Sequence, residues 1–362
     1  MFSKTKMFML LLALTLVVSA CGAAPAVSEE SATVAAPAST AVPEAGVESD
    51  VTGKLVIYSG RSESLIQPVL DAFKAQYPNV EILLKAGSNS ELANALIEEQ
   101  VNPQADVFIT TELFTVQSLA GQGIFQPYLP MGAEQLPAEF LGADAMWTGL
   151  TRRVRVIMYN KDLVSETELP SSIFDLTDPK WKGQVAAAGS TNGSMQAQIA
   201  ALRQLLGEEA TEAWLNGLLA NEVTFFGGHT DVRKAVGAGE FKIGLVNHYY
   251  FYLQQAEGNN VGVIFPDQGA GQIGLFANAT AAAVVNGASN VPAAQAFLDF
   301  LVSENGQKIF ADQNYEYPLL PGVALHTGVQ PLDGFRFADV DVVKAALEFD
   351  ATFDLMEKVG LP

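Results

Sequence analysis

The chain of 362 residues has one cysteine, Cys21, and three histidines, His229, His248 and His326, and its 20 Lys and Arg are outnumbered by 40 Asp and Glu. Each shortage excludes something. One cysteine allows no intramolecular disulfide, no Cys-rich zinc site and no iron–sulfur cluster. Three histidines leave few candidates for a nucleophile–histidine–acid catalytic set. A formal charge of −20 argues against a nucleic-acid partner, because a phosphate backbone is gripped by a local surplus of Lys and Arg. It argues equally against general affinity for anionic membrane surfaces. Catalytic motifs are missing as well: HExxH, the P-loop and Gly-x-Ser-x-Gly do not occur. The run Gly269-Ala-Gly-Gln-Ile-Gly274 spaces its glycines as a dinucleotide site would, but it follows no clear strand of a βαβ unit and reads as a turn.

What is present describes a globular protein. Hydrophobic residues make up 49% of the chain and charged ones 17%, and the length suggests roughly two or three domains. Residues 1–20 have the form of a secretory signal: Lys4 and Lys6, an apolar stretch from Met7 to Val18 too short for a comfortable membrane span, then Ser19-Ala20. Leu16-Val-Val-Ser-Ala-Cys21 resembles a bacterial lipobox, in which the cysteine is lipidated and becomes the mature N-terminus; an ordinary cleavable signal with an incidental cysteine is the simpler alternative. Residues 22–50 hold nine Ala, three Pro and five acidic residues, with no aromatic, Leu, Ile, Met, Lys or Arg. With almost nothing large to bury, residues 21–50 are expected to form a flexible tether carrying the lipidated cysteine.

From Val51 onward the pattern alternates. Lys54–Ser59 reads as a buried strand, and Ser62–Tyr77 as a helix with Leu65, Ile66, Val69, Leu70 and Phe73 on one face. Val80–Lys85 and Asp106–Thr110 read as further strands around a helix at Ser90–Val101. Helices are expected at Ser194–Leu206, Glu208–Leu219 and Asp231–Gly237, with strands at Val223–Phe226 and Lys242–Asn247. Such alternation predicts an α/β protein with parallel βαβ units. Two lobes facing a ligand cleft fit the length, since open α/β sheets bind ligands beyond the carboxyl ends of their strands.

Two places could carry chemistry. Tyr58-Ser-Gly-Arg61 ends the first strand and opens the first helix, where free N–H groups and the helix dipole favour an anion that Arg61 could hold bidentately. A plain cap by Ser62 with Arg61 solvated is the blander reading. Thr191-Asn-Gly-Ser194 opens another helix with the same chemistry and the same capping alternative. The second place is Asn247-His-Tyr-Tyr-Phe-Tyr252, a concentration of phenols. Aromatic clusters are usually core. Adjacent side chains on a strand face opposite ways, so Tyr249 and Tyr250 can share a ligand only at a strand-to-helix bend, which the predicted end of the strand near Asn247 would supply. Phenolates with a small anion would make a hard, oxygen-rich site for which Fe3+ is the natural guest, by the logic that assigns carboxylates to hard ions. A trivalent ion would also depress the phenol pKa from about 10 far enough to ionise it.

These residues resemble the ferric ion-binding proteins of ABC-type iron importers. The likeness runs over the folded body through Leu55-Val-Ile-Tyr-Ser-Gly-Arg-Ser62, Ala105-Asp-Val-Phe108, Arg153-Val-Arg-Val-Ile-Met-Tyr-Asn160, Leu176-Thr-Asp-Pro-Lys-Trp-Lys-Gly183, Asn247-His-Tyr-Tyr250 and Glu316-Tyr-Pro-Leu-Leu-Pro-Gly322. The resemblance implies a two-lobed, type II periplasmic-binding-protein-like fold, with residues 51–152 plus 275–320 in lobe 1 and 153–274 plus 321–362 in lobe 2. It implies Fe3+ ligation by Tyr249, Tyr250 and Tyr159, and a synergistic carbonate or bicarbonate near Asn192, Gly193, Ser194, Arg61 and Arg153. Two departures from the family pattern stand out: Ser62 replaces a ligand histidine, and Thr111 replaces a ligand glutamate, with Glu112 one residue late. The expectation is a non-enzymatic, monomeric lipoprotein of the cell envelope, attached to the membrane only through Cys21, that hands Fe3+ to an ABC permease. A receptor of the same fold for a phosphonate, polyamine or other small organic solute is the second reading, and a secreted hydrolase the third.

Overall fold

The computed structural model describes residues 51–362; the signal segment, Cys21 and the tether lie outside the described residues. In chain order, β1 (Gly53–Ser59), α1 (Glu63–Gln76), β2 (Val80–Ala86), α2 (Asn89–Glu98), β3 (Val107–Thr110) and α3 (Leu113–Gly121) come first. The long strand β4 (Thr148–Asn160) follows, then β5 (Val185–Ala188), α4 (Gly193–Leu206), α5 (Glu208–Ala220), β6 (Thr224–Phe226), α6 (His229–Gly237), β7 (Ile243–Asn247), α7 (His248–Ala256) and β8 (Val261–Ile264). The chain finishes with β9 (Ala277–Val284), α8 (Val291–Val302), α9 (Glu304–Asn314), β10 (Tyr317–Pro318), α10 (Val342–Leu347) and α11 (Asp350–Val359). The expected helices and strands are all found, and Gly269–Gly274 lies in loop.

The strands form one mixed sheet in the order β2-β1-β3-β9-β4-β7-β5-β6, with β8 and β10 also paired to β4. Parallel pairing is confined to β1 with β2 and β3, and β5 with β6 and β7. β9 runs antiparallel to β3 and β4, and β4 antiparallel to β7 and β8. The parallel βαβ expectation therefore holds at the two ends and fails in the middle. There β4 and β9 follow loops or distant elements rather than crossover helices, so nothing forces them parallel.

β4 is long enough to belong to two layers in turn. Its residues Thr148–Val154 pair with β9, whereas Arg155–Tyr159 pair with β7. Each half of the sheet has its own apolar filling. The first is packed by residues such as Leu55, Phe73, Phe108 and Phe297. The second has Ile157, Trp181, Ile199 and Trp214 on one face and Val156, Val232, Val246 and Phe251 on the other. The central strands β3, β5 and β9 are buried almost throughout, as expected of strands covered on both faces.

The C-terminal segment does not keep to one half. α10 packs against α3 of the first half, with Ala345, Ala346 and Phe349 meeting Phe114, while α11 packs on α4 and α5 of the second. Assigning all of 321–362 to the second lobe is thus too simple: the small side chains on α10 let it seat against the first half. Among the described residues, no helix is long and apolar enough to cross a membrane.

Candidate functional site

The place where β4 passes from one half to the other is unusually polar for a core. Arg153 and Arg155, one strand period apart and so on one face, are both 2% exposed. Arg61, at the β1–α1 turn, is also buried. Three guanidinium groups thus leave water together, which is costly unless each finds partners.

Arg61 finds a carboxylate. Its Nη1 donates to Glu316 Oε2 at 3.1 Å and to Thr280 Oγ1 at 2.8 Å, and its Nη2 donates to Glu316 Oε1. Thr151 donates to the same carboxylate. Burial pushes the Glu316 carboxyl upward, but Arg61, Arg153 and Thr151 outweigh it and hold the group below the usual range. The blander expectation at this turn fails: Ser62 makes no side-chain cap and Arg61 is not solvated. The expected bidentate grip does exist, but on a carboxylate of the protein itself, and only Arg61 Nε is left without a partner.

Arg155 finds no carboxylate. Its Nε donates to Gln198 Oε1 at 2.6 Å, and its Nη1 meets His229 Nε2 at 2.6 Å and donates to Asn247 Oδ1 at 3.3 Å. Burial and the neighbouring Arg153 lower its pKa to about 9. Since a guanidinium nitrogen only donates, His229 Nε2 must be the acceptor, so this ring is neutral with its proton on Nδ1. Burial and the two arginines push the His229 pKa well below its ordinary value, in accord with that. Arg153 donates to the Ala279 carbonyl at 3.3 Å. Arg153 Nε, Arg155 Nη2 and Asn278 Nδ2 are buried without partners, joining Arg61 Nε.

Tyr249 and Tyr250 open α7 where β7 ends at Asn247, so the strand-to-helix bend is where the sequence put it. The bend lets adjacent side chains share a space: the two rings lie 4.3 Å apart, tilted by 33°. The edge of His229 meets Tyr250, with centroids 5.2 Å apart. Burial, with Tyr249 beside it, raises the Tyr250 pKa well above 10, while Arg61 and Arg153 pull it down. The Tyr250 phenol is therefore neutral in this state, within reach of buried positive charge. His248, the preceding residue, serves the backbone. Its Nδ1 accepts from Val154 N at 3.3 Å and its Nε2 meets the Tyr315 carbonyl at 2.9 Å, and burial drives its pKa down to about 3.

The second helix start behaves differently from the first. Asn192 caps α4, its Oδ1 accepting from Ser194 N at 3.1 Å and Met195 N at 3.3 Å, so here the capping reading is the right one and those two N–H groups are engaged. Ser194 Oγ accepts from Asn247 Nδ2 at 3.1 Å, tying α4 to the strand that carries the tyrosines. Gly193 is packed tightly: a Cβ there would lie 2.3 Å from Asn89 Nδ2. Asn89, at the start of α2 in the first half, also crowds Gly60 and exchanges bonds with Thr111, donating to its Oγ1 at 2.9 Å and accepting from its N at 3.3 Å. Asn89 was not picked out by sequence reasoning. The signal available was its place directly after Ser88 inside a Ser88–Glu91 capping box, opposite two glycines that only the fold brings together.

Tyr159 is not brought to this place. It pairs with Ile243 on β7, whereas Arg155 pairs with Asn247 next to the tyrosine pair, a separation of about 13 Å at roughly 3.3 Å per residue. Its ring is buried among apolar residues and stacked on Gly262, where an added Cβ would fall 2.2 Å from it. Burial and Glu166 raise its pKa, and no cation offsets them as Arg61 and Arg153 do at Tyr250. The motif Arg-Val-Ile-Met-Tyr-Asn places it on the strand that lines the site, but four residues too far along. Glu112 is equally unavailable, folded back to accept from Phe114 N at 2.6 Å and Thr115 N at 3.0 Å. Among the described residues no group of three His, Cys, Asp or Glu is placed to hold a metal ion.

Comparison with known proteins agrees with this architecture. Residues 102–342 match the family model described as bacterial extracellular solute-binding protein. The chain is 35% identical over 314 residues to iron uptake protein A1 of Synechocystis, covering 84% of this chain and 86% of that one. It is 31% identical to the Fe(3+)-binding periplasmic protein of Serratia marcescens, covering 85% and 90%. Among solved structures, iron-bound HitA from Pseudomonas aeruginosa superposes with a TM-score of 0.78 at 29% identity, covering 85% of this chain and 99% of that one.

Proposed function

Because the chain belongs to the bacterial extracellular solute-binding proteins, we propose that it captures Fe3+ on Tyr249 and Tyr250, with a small synergistic anion completing the site, and delivers it to an ABC permease. It performs no covalent chemistry. The single observation that carries the reading is the pairing of two adjacent phenols with a buried surplus of positive charge. Three guanidinium groups, Arg61, Arg153 and Arg155, stand against the two carboxylates Glu112 and Glu316, and burial raises the Glu112 pKa against its backbone donors and Arg153. Two phenolates and a dianionic carbonate would offset the charge of Fe3+ together with that surplus, and the partnerless Arg61 Nε, Arg153 Nε, Arg155 Nη2 and Asn278 Nδ2 are donors an anion could satisfy.

In this reading Tyr249 and Tyr250 lose their protons to solvent as the ion binds, because the trivalent charge outweighs the desolvation that keeps Tyr250 neutral beforehand. Arg61 is held rigid by Glu316 and so acts as a fixed charge more than as a clamp. Arg153 acts electrostatically on both Arg155 and Glu316, the partner of Arg61. Carbonate or bicarbonate is the anion proposed, beside Gly193 and Ser194. The contact of Asn89 with Gly193 joins α2 of one half to α4 of the other, and a hinge motion about β4 would make and break it. Carriage of the protein on a lipid at Cys21, in the periplasm or on the outer side of the cytoplasmic membrane, and its action as a monomer are parts of the same proposal.

The test is to strip purified protein of metal, add ferric salt with and without bicarbonate, and dialyse against a competing chelator. One iron retained per chain, with retention lost when bicarbonate is left out, is the expected result. Failure to retain iron, with tight calorimetric binding of a phosphonate or polyamine instead, would favour a receptor for an organic solute.

A further inference from the structure

An open cavity of about 740 Å³ is lined by residues at the starts of α2 and α4 and by α11, within the size range of small-molecule pockets. Ser90 and Asn94 of α2, Ser190 and Thr191 ahead of α4, and the carboxylates of Glu91 and Glu357 contribute to its wall, and no Lys or Arg does. These residues flank Asn89 and Gly193, whose contact closes the two helix starts on each other. One further lining residue, Gln196, is 2% exposed. Its Nε2 donates to the Ser190 carbonyl at 2.8 Å and reaches Ser90 Oγ at 3.4 Å, while its Oε1 has no partner. The Ser190 carbonyl can only accept, so the amide cannot be turned round and its oxygen is the free end. A buried acceptor without a donor is left with its desolvation cost unrepaid.

We propose that this cavity receives the organic part of a ferric chelate whose outer groups are O–H, N–H or ammonium donors, as opposed to a polycarboxylate. The inference rests on the iron reading above and names the form in which the ion arrives. A donor from the ligand satisfies Gln196 Oε1, the hydroxyls of Ser90 and Thr191 serve either sense of hydrogen bond, and Glu91 and Glu357 attract a cationic group and repel carboxylates. The cavity's neighbours Asn89 and Gly193 then part, and the ion passes to Tyr249 and Tyr250 as the chelator's oxygens release it and take up the protons that the two phenols give up.

The probes are a linear ferric trihydroxamate bearing one ammonium group, ferric citrate, and ferric salt with bicarbonate. After dialysis, chelator and iron retained per chain are counted by mass spectrometry and metal analysis, for the wild type, Asn94→Trp, which fills the cavity from an exposed position, and Gln196→Met. One trihydroxamate per wild-type chain is expected, bound at least tenfold more weakly by both variants, with iron retention from ferric bicarbonate unchanged in Asn94→Trp. Wild-type protein that takes iron from bicarbonate but retains no trihydroxamate, or retains citrate equally well, would overturn the inference. Retention of the trihydroxamate undiminished in Asn94→Trp would overturn it too. If no iron source leaves metal on the wild type, the iron reading itself has failed.

Discussion

The two ends of the β4–β7 ladder carry tyrosines in opposite circumstances. At one end Arg155 faces Asn247, and Tyr249 and Tyr250 follow at a helix start among buried guanidinium groups. At the other, four pairs along, Tyr159 faces Ile243 and lies in carbon, with an acid as its charged neighbour. The same side chain is a candidate ligand in the first setting and a core residue in the second. What differs is the charge around the oxygen: burial raises the cost of the phenolate at both Tyr250 and Tyr159, but Arg61 and Arg153 oppose it at Tyr250 while Glu166 adds to it at Tyr159.

The comparison can be broken first at the pair. Tyr249→Phe with Tyr250→Phe should reduce ferric affinity by a thousandfold or more, equivalent to about 4 kcal/mol, measured by competition with a chelator. Next comes the charge: Arg155→Gln removes a buried cation that has no carboxylate partner, and should weaken iron binding ten- to a hundredfold. Its thermal midpoint should change little, because the desolvation cost of the cation goes with it; a large loss of stability with unchanged affinity would make Arg155 purely structural. Gly193→Ala presses a methyl group onto Asn89 across the two halves and should cost about tenfold in affinity by opposing the closed arrangement, read by calorimetry at constant pH.

The last effect concerns folding stability and pH, and leaves the iron affinity aside. The folded-state pKa of His248 is about 3, against about 6.5 unfolded, so its neutral form is the one the fold accepts. The stability it contributes is fully present above pH 6.5 and is lost progressively as pH falls toward 3, at up to about 1.4 kcal/mol per pH unit. His229, with its pKa also depressed, acts in the same direction. Denaturant unfolding of metal-free protein between pH 6 and 4 should show this slope, and His248→Gln should reduce it by one proton. An unchanged slope would mean that carboxylates dominate the acid sensitivity.

How much of this was legible in the sequence depends on whether a residue's partners are local. Hydrophobic period and turn residues placed β1, α1, β2 and α4 to within a few positions, and the bend after Asn247 could be read from the end of an apolar run. The adjacency of Tyr249 and Tyr250 then followed from strand geometry alone. Partners far along the chain were not legible. Nothing near Arg61 announces Glu316, 255 residues away, and no local pattern tells that Asn192 caps its helix while Ser62 does not. Tyr159 was misplaced for a related reason: its motif gives the strand and the face correctly, but the register against β7 decides which end it occupies. The antiparallel β9 was hidden because its alanine-rich sequence has only Thr280 and Val284 of the β-branched residues that usually mark a strand.

The most direct test is the visible spectrum of ferric-loaded protein in bicarbonate for the wild type, Tyr159→Phe and the Tyr249→Phe, Tyr250→Phe double variant. A phenolate-to-iron charge-transfer band of equal intensity in the wild type and Tyr159→Phe, and absent from the double variant, is predicted. A band that survives the double variant, or that disappears in a folded Tyr159→Phe protein, would contradict the assignment of the metal to the tyrosine pair.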